Sequence, residues 1–149
     1  MKGLKIRQAK PADFPEVFKL LEQLWDYKEL DRRLLAAAYK RSLKEKNYRA
    51  FLAVKDGKIA GFAGTIILNH MWQAGTICHL NELIVDRNIR AKGIGSAMMD
   101  HIETYAGKKG CRGVELESAK RRRRTHKFYK ARGYNPGALF FVKLFYKDR

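Results

Sequence analysis

The sequence predicts one mixed α/β (α+β) domain spanning residues 1–149, and three observations carry that prediction. Strand-like runs are interleaved with helical ones along the whole chain. No repeat, linker-like composition or abrupt compositional change divides it. At 149 residues and 46% hydrophobic content, the chain can bury a core without disulfides or a metal to staple it.

Leu4 and Ile6 alternate with Lys5 and Arg7 as a first short strand. Pro11, Ala12 and Asp13 then open a helix whose apolar residues Phe14, Val17, Leu20, Leu21, Leu24 and Trp25 recur at helical spacing. A second helix is expected around Leu34 to Leu43, with Leu34, Leu35, Ala38 and Tyr39 on one side. AFLAV (50–54) and IAGFAGTIIL (59–68) read as strands joined by an Asp56-Gly57 hairpin turn. NHMWQAG (69–75) is a longer turn, and TICHLNELIV (76–85) is a central strand. Ile94 to Ala106 places Met98, Met99, Ile102 and Tyr105 at helix spacing before Gly107 and Gly110 stop the helix. GVELES (113–118) is a further strand, RRRRTHKFYKA a basic helix ended by Gly133, and ALFFVKLF (138–145) a terminal strand. The helical crossover between TICHLNELIV and GVELES implies that these two strands run parallel.

Thirty-two Lys and Arg against 15 acidic residues give a formal charge of +17, which favours an anionic partner. A nucleic acid, a phosphorylated cofactor and an acidic membrane surface all satisfy that. The basic N-terminus MKGLKIRQAKP lacks the apolar run of a secretory signal, and no stretch reaches the length of a membrane span, so a cytoplasmic protein without membrane contact is expected. Cys78 and Cys111 lack metal-ligand spacing and read as thiols, and no metal site is expected.

The chemistry concentrates in RNIRAKGIGSAMM (87–99), where a basic loop runs through Gly93 and Gly95 into a helix. Such a loop aims backbone N–H groups and the positive end of a helix dipole at one point, a site for pyrophosphate. A dinucleotide fold would need a third glycine where Met98 stands, although Glu115, about twenty residues on, could pose as its ribose acid.

Arg90-Ala91-Lys92-Gly93-Ile94-Gly95 resembles instead the R/Q-x-x-G-x-G/A signature of the GNAT superfamily of acetyl-CoA-dependent N-acetyltransferases. IRQAKPADFPEVFKLL, VKDGKIAGFAG, ELIVDRNIRAKGIGSAMMDHIETYA and THKFYKARGY resemble successive family segments, in the family's order. The resemblance implies a central mixed sheet of about six to seven strands, splayed between the fourth and fifth and flanked by about four helices. It implies acetyl-CoA as cofactor, its pantetheine beside Leu83, Ile84 and Val85 and its pyrophosphate on Arg90, Ala91, Lys92, Gly93, Ile94, Gly95 and Ser96. The family often has an Asn seven residues before its tyrosine; here Arg122 stands there, and Arg122 or Arg121 could meet the CoA phosphates instead.

Amine acetylation needs a group to take the proton of an ammonium whose pKa is about 10. His79, Asn81 and Glu82 are the polar residues of the central strand. Family spacing from Arg90 reaches His79 and Asn81, so His79 ranks first as base, with Glu82 or a water chain as the alternatives. Strand alternation puts His79 and Asn81 on one face and Glu82 on the other, unless a bulge intervenes. Tyr129 matches the family tyrosine that donates a proton to the CoA sulfur, and the backbone N–H of Leu83 or a neighbour is the expected oxyanion donor.

The resemblance implies an acceptor pocket drawn from Trp25, Asp26, Tyr27, Glu29, His70, Trp72 and Asn81. It runs closest to enzymes acting on small-molecule amines, aminoalkylphosphonates among them, by direct attack in a ternary complex. A protein N-terminal or lysine acetyltransferase, and a non-catalytic CoA- or nucleic-acid-binding module, are the alternatives. The run Lys120 to Arg124 has no interleaved aromatics, so nucleic acid is a secondary partner at most. Family habit is a homodimer, for which ALFFVKLF could supply interface or core.

Overall fold

A computed structural model of the chain describes residues 1–89 and 93–146. The chain divides into two compact units, Met1–Glu115 and Leu116–Arg149. β1 (Leu4–Gln8) passes through a 3-10 turn at Pro11–Asp13 into α1 (Phe14–Leu24) and α2 (Arg32–Lys44). A meander of β2 (Tyr48–Lys55), β3 (Lys58–His70) and β4 (Gly75–Val85) follows. Then come α3 (Ile94–Lys108), β5 (Val114–Leu116) and α4 (Arg123–Ala131).

The strands form one sheet in the order β1-β2-β3-β4-β5, with β1 to β4 antiparallel in sequence. Beside β4, Arg112 N–H donates to Thr76 O at 2.7 Å and Cys78 N–H to Gly113 O at 3.0 Å. These bonds advance in the same direction along both segments, so β5 lies parallel to β4, as the helical crossover requires. The β2–β3 hairpin turns at Asp56 (φ 51°) and Gly57 (φ 80°), the paired positive φ angles of a tight primed turn.

α1 buries Val17, Leu20, Leu21 and Leu24 against Leu52, Phe62 and Ile84, which fixes the side of the sheet that α1 and α2 cover. α3 takes the opposite side, where Phe51 packs edge-on to His101 and Tyr105. Its buried stripe is Ile94, Met98, Met99, Ile102 and Ala106. Arg7 of β1 makes two 2.9 Å bonds to Asp13, holding the first strand to the start of the helical layer.

Three expectations are corrected. Among the described residues the sheet has five strands, not about six to seven. Residues 138–145 form no strand, and Leu139, Phe140, Phe141, Val142, Leu144 and Phe145 are exposed. Apolar composition proposes a strand, but only a neighbour that takes up its N–H and C=O groups makes one. Leu34, placed on the apolar side of α2, is 62% exposed, while its N–H is capped by the Asp31 carboxylate at 3.1 Å. Both cysteines are free thiols. Among the described residues no helix is long and apolar enough to cross a membrane, and no group of three or more His, Cys, Asp or Glu could hold a metal.

Candidate active site

The central strand is bulged where its polar residues lie. Ile66 of β3 pairs with His79 and Thr65 with Leu80, but Gly64 pairs with Glu82, so Asn81 has no opposite number. One extra residue inverts the alternation beyond it. His79, Glu82 and Ile84 therefore share the face covered by α1 and α2, while Asn81 is exposed. This corrects the expectation from simple alternation, which set Glu82 on the far side from His79.

Gly64 makes the arrangement possible. A Cβ there would fall against the Glu82 carboxylate and the Tyr48 phenol, so glycine leaves the space that the carboxylate enters. Glu82 Oε2 is buried and has no hydrogen-bond partner among the described residues. Burial pushes its carboxyl up to about 7, with the charge of His79 working in the opposite direction. Tyr48, also buried, is pushed far above the usual tyrosine range by burial and then by Glu82. Gly64→Ala is expected to displace the carboxylate and cost about tenfold or more in kcat/KM, with a fall in Tm of only a few degrees. Steady-state kinetics beside thermal unfolding would check the split.

His79 Nδ1 lies 2.6 Å from Glu115 Oε2, and Glu115 Oε1 lies 3.7 Å from His70 Nε2. His70, His79 and Glu115 are thus gathered from β3, β4 and β5.

Past β4 the chain is tied down before it reaches the glycine motif. Asp86 N–H donates to Ala60 O at 2.8 Å, and Asn88 N–H to Asp86 Oδ1 at 2.9 Å. Gln23 of α1 bridges this turn, donating to Asp86 Oδ1 at 3.1 Å and accepting from Arg87 N–H at 3.0 Å. Arg90, Ala91 and Lys92 lie outside the described residues. Gly93 sits at φ 101°, a conformation that favours glycine, and caps α3 without any side-chain hydrogen bond. The first-turn N–H groups of Ile94, Gly95 and Ser96 are therefore not taken by a capping side chain, and no acidic residue occupies that turn.

In the second unit α4 carries Tyr129, buried, with Phe128 and Tyr134 at ring-centroid distances of 5.2 and 5.6 Å. Burial pushes its phenol up to about 12, and the Arg122 charge opposes the shift. Arg122 stands at the N-terminal cap of α4.

The residue profile of the Acetyltransferase (GNAT) family matches this chain over residues 14–134. The chain belongs to the GNAT family of acetyltransferases. It is similar to the aminoalkylphosphonate N-acetyltransferase of Salmonella typhimurium, 28% identical over 139 residues covering 93% of this chain and 90% of the relative. An uncharacterised N-acetyltransferase of Bacillus subtilis, YhfO, is 26% identical over 139 residues, covering 92% of this chain and 93% of that one. Among solved structures, a transcriptional regulator from Bacillus halodurans superposes with a TM-score of 0.86 at 19% identity, covering 95% of this chain and 99% of that one. The aminoglycoside N-acetyltransferase AAC(6')-Iy, in complex with CoA, superposes with a TM-score of 0.80 at 21% identity, covering 94% of each chain. At such identities these structures establish the fold.

The other nominated residues of this GNAT acetyltransferase are scattered in exposure. Trp25, at the end of α1, packs against the core, whereas Asp26 is exposed and Tyr27 is 58% exposed. Trp72 is 87% exposed on the β3–β4 turn, roughly 20 Å along β4 from Asn81 at about 3.3 Å per residue. Leu83, Ile84 and Val85 end β4, with the Ile84 side chain in the α1 core. Sequence reasoning missed Gly64, Tyr48, Gln23 and the present role of Glu115. Gly64 alone had a signal, since a lone glycine inside a strand marks a bulge or a close approach.

Proposed function

We propose that this GNAT enzyme transfers the acetyl group of acetyl-CoA to the primary amine of a small molecule by direct attack in a ternary complex. The observation that carries the reading is the bulge at Asn81, which turns a buried carboxylate titrating near 7 onto the face it shares with His79. A base poised there is ionised often enough at neutral pH to accept the proton of an ammonium, yet basic enough to hold it. The name of the Salmonella relative and a net charge of +17 both favour an acceptor with an anionic group.

The residues present suit the cofactor. The first turn of α3 behind Gly93 would hold the pyrophosphate on its backbone N–H groups. Acetyl-CoA, when bound, supplies the activated acyl thioester. On the protein side, Glu82 takes the amine proton, Leu83 offers its backbone N–H to negative charge developing on the acyl oxygen, and Tyr129 holds the proton that a leaving thiolate needs. His79 stands beside Glu82 as the next acceptor along the strand. Trp25, Asp26, Tyr27 and Asn81 are the proposed acceptor contacts; the exposure of Trp72 at the far turn makes it the weakest of that group.

Thermal unfolding with acetyl-CoA at about a hundred times its Kd should show a stabilisation of about 2.7 kcal/mol, raising the midpoint by roughly 5–10 °C. Gly93→Glu, which puts a side chain at positive φ and a negative charge at the helix N-terminus, should abolish that rise. An amine panel read by CoA release then identifies the acceptor. No midpoint rise, or acetylation of protein lysines in preference to every small amine, would overturn the proposal.

A further inference from the structure

Glu115 has no part in the reaction as described so far, yet its carboxylate stands between two imidazoles. Oε2 lies 2.6 Å from His79 Nδ1, the distance of a charge-assisted hydrogen bond, and Oε1 lies 3.7 Å from His70 Nε2. β5 brings this carboxylate alongside β4 through the hydrogen bonds of Arg112 and Gly113 to Thr76 and Cys78. An ionised carboxylate only accepts, so Nδ1 of His79 carries the hydrogen and Nε2 of the neutral ring carries the lone pair. An imidazole without such a partner exchanges between two tautomers, and only one of them presents Nε2 as a base.

We infer that Glu115 is a positioning residue, which holds His79 in its Nδ1–H tautomer and makes Nε2 the nitrogen that receives the amine proton after Glu82. This rests on the reading of Glu82 as first acceptor. The transfer balances through an intervening water: the O–H bond on Glu82 breaks as that water gains its proton, the water gives a proton to Nε2, and the imidazolium, steadied by Glu115, releases the proton to solvent. Exposure rises in that order, from the buried Oε2 of Glu82 to a His79 side chain 15% exposed and a Glu115 side chain 38% exposed. His79 and Glu82 stand on either side of the bulged Asn81 and share one face of β4, which makes them neighbours along the strand. The other titratable groups on this face include Tyr48, whose phenol lies with the Glu82 carboxylate over Gly64, and His70, whose Nδ1 is buried and without a partner among the described residues.

The test is histidine ¹⁵N–¹H correlation spectroscopy across pH on the full chain, with His79 assigned by its loss in His79→Asn. The wild-type ring should show the Nδ1–H tautomer. Glu115→Gln keeps the length and an acceptor oxygen but removes the charge, and should lower the His79 pKa by about one unit while the tautomer survives. Glu115→Ala removes both and should restore the Nε2–H tautomer that prevails in water. In turnover, Glu115→Gln should reduce kcat about tenfold with the acetyl-CoA KM within twofold, and Glu115→Ala should reduce it further. A wild-type Nε2–H tautomer, or a His79 titration unmoved in both variants, overturns the inference. Should the titrations move as expected while no amine is acetylated by the wild type, the proposed reaction fails and the Glu115–His79 coupling stands.

Discussion

Glu82→Gln is expected to lower kcat/KM by about 10²–10⁴-fold, the usual worth of a positioned general base. The amide fills the same space behind Gly64 but cannot take a proton. In the wild type kcat/KM should rise with pH through about 7, because the carboxylate is active only when ionised, and this acidic limb should be missing from the variant's residual rate. The same burial predicts a stability effect of opposite sense. The folded carboxyl titrates above its unfolded value of 4.5, so between about 4.5 and 7 the folded state holds more proton than the unfolded one. Stability is therefore lost as pH rises through that window, by on the order of 3 kcal/mol for a shift of this size. Glu82→Gln should accordingly gain more in Tm over the wild type at pH 8 than at pH 4. A large activity loss without that pattern would point to damaged packing and not to a missing base; unchanged activity would move the role to His79 or to water.

Tyr129→Phe is expected to reduce kcat by about 10²-fold while changing the acetyl-CoA KM little. The ring keeps its packing beside Phe128 and Tyr134, so the substitution removes the phenolic proton and little else. With the phenol pushed up to about 12 by burial, Tyr129 stays protonated across the working range and imposes no alkaline limb below about pH 10. Its folded pKa exceeds its unfolded value of 10, so its contribution to stability is present below that value and lost as pH rises from about 10 to 12. Stopped-flow kinetics with varied acetyl-CoA separates the two parameters. A variant with wild-type kcat would end the assignment of Tyr129 as proton donor.

Much of the fold is legible in local pattern. Asp56-Gly57 between two apolar runs announces its hairpin because few other residues tolerate paired positive φ angles. Val17, Leu20, Leu21 and Leu24 announce α1 because one helical face must be buried. Gly93 at positive φ and the helix after it are legible for the same reason, since the requirement lies within a few consecutive residues. ALFFVKLF shows the limit of this reasoning: its residues suit a strand, but strand formation depends on a neighbour elsewhere in the chain, and residues 138–145 have none among the described residues.

The base assignment fails to be local in the same way. Which face Glu82 takes depends on whether β3 pairs with β4 residue for residue, and the pairing slips by one between Gly64 and Thr65. Glu115 stands some distance along the chain from His79 and meets it only because β5 lies parallel to β4. The sequence by itself determined the order of helices and strands as far as α4 and the glycine-capped start of α3, both set by short-range sterics and periodic burial, while its motifs carried the resemblance to the family. Only the tertiary structure decided that Glu82 shares a face with His79 and that the Glu115 carboxylate meets the imidazole. Strand register and side-chain pairing are set by the summed packing of distant segments, which no stretch of sequence contains alone.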